Sequence, residues 1–86
     1  WGAATPLVRL AITDVMTLLA VPASEVQVVS VEQKDWNDSS LGCPESGKAY
    51  LTVITPGYQI ILEVKGQRYD YRTSDKLVRL CTSATQ

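Results

Sequence analysis

Apolar residues in the first quarter of the chain recur at three- and four-residue steps. In TPLVRLAITDVMTLLA (5–20), Leu7, Leu10, Ala11, Val15, Leu18 and Leu19 fall on one side of a helix with 3.6 residues per turn. Val8, Ile12 and Met16 widen the stripe, so the helix is expected to be covered on more than one side. Thr5 suits the N-cap and Pro6 the first helical position, where its missing N–H is no loss; Pro22 ends the helix.

Beyond Pro22 the period changes to two. In EVQVVSVEQK (25–34), Val26 and Val28 share one face while Val29 and Val31 share the other. That slip predicts a β-bulge, or a strand covered on both sides near its middle. AYLTVIT (49–55) alternates as a second strand, and Thr55-Pro56-Gly57-Tyr58 carries the signal of a type II turn. YQIILEVK (58–65) alternates most clearly, with Tyr58, Ile60, Leu62 and Val64 on one face. Gly66 marks a tight hairpin into QRYDYRT (67–73), where Tyr69, Tyr71 and Thr73 oppose Arg68, Asp70 and Arg72. A turn at 74–76 leads to a short strand LVRLC (77–81), and the tail TSATQ has no period. The pattern predicts one α+β domain over residues 1–86. Its N-terminal helix packs on a four- to five-stranded antiparallel meander in two layers.

Eighty-six residues, 45% of them apolar, build only a small core, so a further constraint is expected. Cys43 and Cys81 are the only cysteines and there is no histidine. Four Cys or His ligands for zinc are therefore lacking, as is a C-x-x-C redox pair. What is left is a disulfide spanning 38 positions or two reduced, buried thiols, and the small core favours the disulfide. By loop closure such a bridge is worth about 4 kcal/mol, a sizeable part of the roughly 5–15 kcal/mol of a typical domain.

A net charge of −1, with Lys and Arg dispersed among acids, argues against a nucleic-acid binder. No apolar run approaches the roughly 20 residues that cross a bilayer; residues 7–21 come nearest but are interrupted by Arg9 and Asp14. The start at Trp1, without Met, fits a mature fragment of a longer precursor.

The candidate chemistry lies in DWNDSSLGCPESG (35–47). Without histidine, Ser39 and Ser40 have no general base, so a hydrolase triad is excluded. Asp35, Asp38 and Glu45 read as solvated acids or caps of backbone N–H groups rather than a catalytic pair. Asp35, Asn37 and Asp38 lack the alternating spacing of a calcium loop, while Asn37-Asp38-Ser39 satisfies the glycan acceptor N-x-S. No catalytic residue, metal or cofactor is expected. As a contact surface the stretch offers Trp36, Ser40, Leu41, Pro44 and Glu45, and its Cys-Pro pair has the look of a pinned protease-inhibitor loop. Trp36 either closes over the sheet or meets a partner. Tyr69 and Tyr71 cover the helix from the inner face or form a ligand-binding pair.

The pattern W-x-D-x-S-L-G-C-P at Trp36, Asp38, Ser40, Leu41, Gly42, Cys43 and Pro44 resembles a small domain of bacterial secreted proteins and lipoproteins, largely uncharacterised. T-P-G-Y at 55–58, Tyr69, Tyr71, Thr73, Asp75 and the closing cysteine add to the resemblance, which covers about residues 25–81. It departs at Arg72, where the pattern has histidine. The resemblance implies an exported, disulfide-bonded domain, secreted, periplasmic or lipoprotein-anchored, and no established activity. The topology is similar to cystatin-like and PepSY-like domains, some of which inhibit or regulate proteases. The cystatin Q-x-V-x-G loop is not present, since Gln27-Val28-Val29-Ser30-Val31 lacks the glycine.

These observations lead to a non-enzymatic, extracytoplasmic protein-binding domain, most concretely a protease inhibitor or regulator using the 36–46 loop. The alternatives are a small-ligand or lipid-binding module with Tyr58 or Tyr69 in a helix–sheet cleft, and a structural accessory domain of a larger exported protein.

Overall fold

In the computed structural model, which describes residues 2–43, 47–74 and 77–81, the helical period becomes α1 (Thr5–Leu19). Thr5 is not its N-cap. A 3-10 turn at Gly2–Ala4 runs directly into the helix, so the capping position falls on Ala4, already in helical geometry and without a side-chain acceptor. At the other end Ala20 turns left-handed at φ 54°, and the N–H groups of Ala20 and Val21 both reach the Met16 carbonyl before extended Pro22. Leu7, Val8, Ala11 and Val15 are buried, with Ile12 and Leu19 half-buried beside them. Leu10 and Leu18 depart from the expected stripe, at 49% and 56% exposure. Leu10 sits on the margin of the buried face, and Leu18 overhangs a cleft.

Gly2–Leu19 is long and apolar enough to cross a membrane by length and composition, in spite of Arg9 and Asp14. One face of it packs on the sheet.

Four strands form the sheet: β1 (Val26–Trp36), β2 (Thr55–Val64), β3 (Gln67–Thr73) and β4 (Val78–Leu80), antiparallel in the order β1-β2-β3-β4. The valine phase slip is a β-bulge. Val28 pairs with Leu62 and Ser30 with Ile61, so Val29 has no partner and turns outward. Val28 and Val31 thereby both face the helix. Lys65 and Gly66, both at positive φ, make the two-residue turn between β2 and β3.

Residues 49–54 do not form the expected second strand. β1 runs on to Trp36, and its last three residues pair with Thr55, Pro56 and Gly57. The edge of β1 that the expected strand would have used is taken by β2, and β-propensity without a ladder partner does not make a strand. Leu51, Val53 and Ile54 stay exposed.

The same pairing overturns the turn at Thr55-Pro56-Gly57-Tyr58, which lies inside β2. Gly57 serves close approach instead. A Cβ there would lie 1.7 Å from the Thr73 carbonyl oxygen and 2.7 Å from its carbon. Only glycine lets that carbonyl settle against β2.

Ile60, Leu62, Val64 and Tyr71 meet Leu7, Val8, Ala11 and Val15 in the core, ringed by Tyr58, Tyr69, Val78 and Leu80. Tyr71 crosses the layer and donates its hydroxyl to Asp14 Oδ2 at 2.7 Å. Burial, and then the Asp14 carboxylate, push the Tyr71 pKa well above the usual tyrosine range.

Two outcomes follow from these contacts. Tyr71 holds its proton in the fold but loses it near pH 10 when unfolded, so above about pH 10 the unfolded chain binds fewer protons and stability falls. Urea midpoints should drop from pH 9 to pH 11, and Tyr71→Phe should remove most of that slope; an unchanged slope would refute the linkage. Gly57→Ala should cost about 3 kcal/mol or more in urea denaturation, the upper end for overpacking, because backbone rather than a side chain must move.

Candidate functional site

Alternation along β3 sends Tyr69, Tyr71 and Thr73 to the helix and leaves Arg72 and Asp70 on the opposite face. The register places Gln59 and Arg79 beside Arg72 on that outer face. The loop after β1 folds down over it. Its covalent anchor is the Cys43–Cys81 disulfide, with Cα atoms 5.8 Å apart and both residues buried.

Two arginines supply the polar anchor. Arg72 Nη1 donates to the Gly42 carbonyl at 2.7 Å and to the Leu41 carbonyl at 3.2 Å, while Nη2 reaches Asp70 Oδ2 at 2.9 Å. Its guanidinium lies over the Trp36 ring, 5.2 Å from the centroid. Arg79 donates to the Ser40 carbonyl at 3.3 Å and lies over Tyr50. Arg72 and Asp70 are only 14% and 15% exposed, so water screens their pair little. Gln59 Nε2 gives Asp70 a further donor. Arg72 Nε is buried without a hydrogen bond, an unsatisfied donor carried within the clamp.

Local chemistry shapes the loop itself. Asp38 Oδ1 accepts from both the Ser40 backbone N–H and the Ser40 hydroxyl, closing an Asx-type turn. Leu41 and Gly42 take positive φ in sequence. At Gly42 a Cβ would lie 2.8 Å from Arg72 Nη1 and 3.3 Å from the Trp36 ring, so glycine is needed for space as well as for φ. Ser39 ties the loop to the next segment: its N–H donates to the Leu51 carbonyl, and its hydroxyl accepts from the Leu51 N–H.

The candidate contact residues therefore divide. Ser40 and Leu41 are buried, at 2% and 1% exposure. Trp36 ends β1, half-buried, and its indole N–H donates to the Thr73 carbonyl at 2.9 Å. That is the carbonyl that Gly57 makes room for. Pro44 and Glu45 lie outside the described residues. Asp38 acts as a cap. Among the described residues no group of three or more Asp, Glu or Cys is placed to hold a metal ion.

A cleft of about 610 Å³ opens elsewhere, between the end of α1 and the β3–β4 side of the sheet. Leu18, Leu19, Val21, Val64 and Leu80 line it with Tyr69, and Lys65, Gln67, Arg68 and Asp70 supply its polar groups. Tyr69 lines the cleft and Tyr58 does not. Sequence reasoning named neither the cleft's cations nor the roles of Arg72 and Arg79. Charged residues alternating with aromatics read as a solvated face until the loop is known to cover them.

The fold and site define a disulfide-pinned α+β domain with a helix on one face of the sheet and a clamped loop on the other. The chain belongs to the family described as Domain of unknown function (DUF8738), whose model matches residues 8–81. No curated protein and no solved structure matches it.

The arginine clamp and the disulfide hold the same loop, so their losses should not add. Arg72→Ala should cost about 3–5 kcal/mol, as removal of one partner of a buried pair does. Cys43→Ser with Cys81→Ser should cost about 4 kcal/mol. Urea unfolding of the combined variant should show a coupling of about 0.5–3 kcal/mol; strict additivity would mean that the disulfide acts on the unfolded chain alone and does not help hold the folded loop.

Proposed function

We propose that the chain is a non-enzymatic binding domain that works outside the cytoplasm and receives its ligand in the cleft at the end of α1. The observation that carries this reading is the cleft itself. Its volume of about 610 Å³ lies in the range of roughly 300–1,000 Å³ usual for small-molecule sites, and it joins an apolar lining to a few polar groups. Leu18, more than half exposed at its edge, is an apolar side chain that a ligand would cover. The disulfide is compatible with an oxidising compartment and supports the extracytoplasmic location.

The protein-binding reading, with a protease as its most concrete partner, draws support from a different surface. Leu51, Val53 and Ile54 present three large apolar side chains within four residues, exposed at 70%, 53% and 66%. Ser40 and Leu41, facing inward, give a loop-borne contact less support than this neighbouring segment does.

One comparison separates the two readings. The oxidised chain should bind the uncharged fluorophore N-phenylnaphthylamine saturably, and Leu18→Asp should weaken that binding at least tenfold, whereas Leu51→Ser with Ile54→Ser should not. The same proteins are assayed against serine and cysteine proteases. Inhibition lost on changing Leu51 and Ile54, with no saturable dye binding, would replace the cleft reading by the protein-contact reading.

A further inference from the structure

Deepening the cleft reading, and resting on it, we infer that the ligand is a single-chain amphiphile with an anionic head. Its tail lies among Leu18, Leu19, Val21 and Leu80, and its head meets Lys65 and Arg68. The two kinds of lining residue call for two kinds of ligand chemistry. The apolar side chains offer no hydrogen bonds and reward a hydrocarbon. The polar groups carry two cations and one acid, and that acid is already engaged. Asp70 accepts from Arg72 at 2.9 Å and from Gln59 at 3.2 and 3.3 Å, with its side chain 15% exposed.

Lys65 and Arg68 are differently placed: Lys65 lies in the β2–β3 turn, and Arg68, on the opposite side of β3 from Tyr69, borders the cleft at its rim. Their side chains are 70% and 66% exposed, and their partners, Glu25 at 3.8 Å and Glu63 at 3.4 Å, do not line the cleft. Exposed ion pairs of this kind are weak in water, so both cations can turn to an anionic head. The carbonyl end of α1 also borders the cleft and opposes an anion, with about half an elementary charge.

The size suits one chain. At roughly 30 Å³ per non-hydrogen atom, the share of a water molecule, 610 Å³ has room for about twenty such atoms, enough for one medium-length chain.

The test titrates the oxidised chain with dodecanoate and dodecyltrimethylammonium below their micelle concentrations and with dodecanol below its solubility limit, followed by calorimetry and by amide shifts. Dodecanoate should bind at least tenfold more tightly than dodecanol, with shifts centred on Leu18, Val21, Tyr69 and Leu80, and the cation should bind weakest. In Lys65→Gln with Arg68→Gln the preference for the carboxylate over the alcohol should collapse to about twofold or less. Equal binding of dodecanoate and dodecanol, or tightest binding of the cation, would overturn the anionic head and leave the cleft reading standing. Saturable binding by none of the three would overturn both.

Discussion

A loop rich in turn residues that is folded onto a sheet must find donors for its carbonyls, because a buried backbone oxygen without a partner is costly. Here the donors are side chains of the sheet itself. Arg72 takes the carbonyls of Leu41 and Gly42, and Arg79 takes that of Ser40. Arg72 is held in turn by Asp70 and lies over the Trp36 ring, and Trp36 is fixed through the Thr73 carbonyl that rests against Gly57. Loop, β1, β2 and β3 are thereby joined through one guanidinium. A planar fork that donates in two directions while stacking on an indole is a task for arginine, and an imidazole with two nitrogens would serve it poorly.

The disulfide acts on the same element by another route. It restricts the unfolded chain, whereas the arginine contacts stabilise the folded loop directly. With these anchors the outer face of the sheet gains a partial third layer, and a domain of small core acquires a second buried cluster around Ser40, Leu41, Cys43 and Cys81. The Tyr71–Asp14 bond does comparable work on the other face, tying α1 to the middle of β3. The cleft lies where this packing ends, because α1 carries Leu18 past the sheet residues that would bury it. Binding capacity is thus proposed at the margin of the helix layer, and the loop that drew attention in the sequence is proposed to be chiefly structural.

Much of the architecture was legible in residue order. The helix, the clean alternation of β2 and β3, the hairpin at Gly66 and the valine slip of β1 all follow from period and turn chemistry. The errors share one cause. Residues 49–54 look like a strand and Thr55-Pro56-Gly57-Tyr58 looks like a turn by local preference, yet pairing with the end of β1 reversed both readings. Leu10 and Leu18 were misplaced for a related reason: a helical stripe says which side is apolar but not how far the sheet beneath it reaches.

By itself, the sequence determined the helix, the strands outside residues 49–58, the antiparallel meander and the absence of any histidine-based chemistry in this chain, because these depend on side-chain period and residue identity. It also reduced the cysteines to one bridge or two thiols. Only the tertiary structure decided that Cys43 meets Cys81, that Leu41 faces inward, that Gly57 admits a carbonyl and that Arg72 clamps a loop thirty positions away. Each of these is a contact between residues distant in the chain, set by sheet register and the path of the loop. Local preference carries no information about such distances.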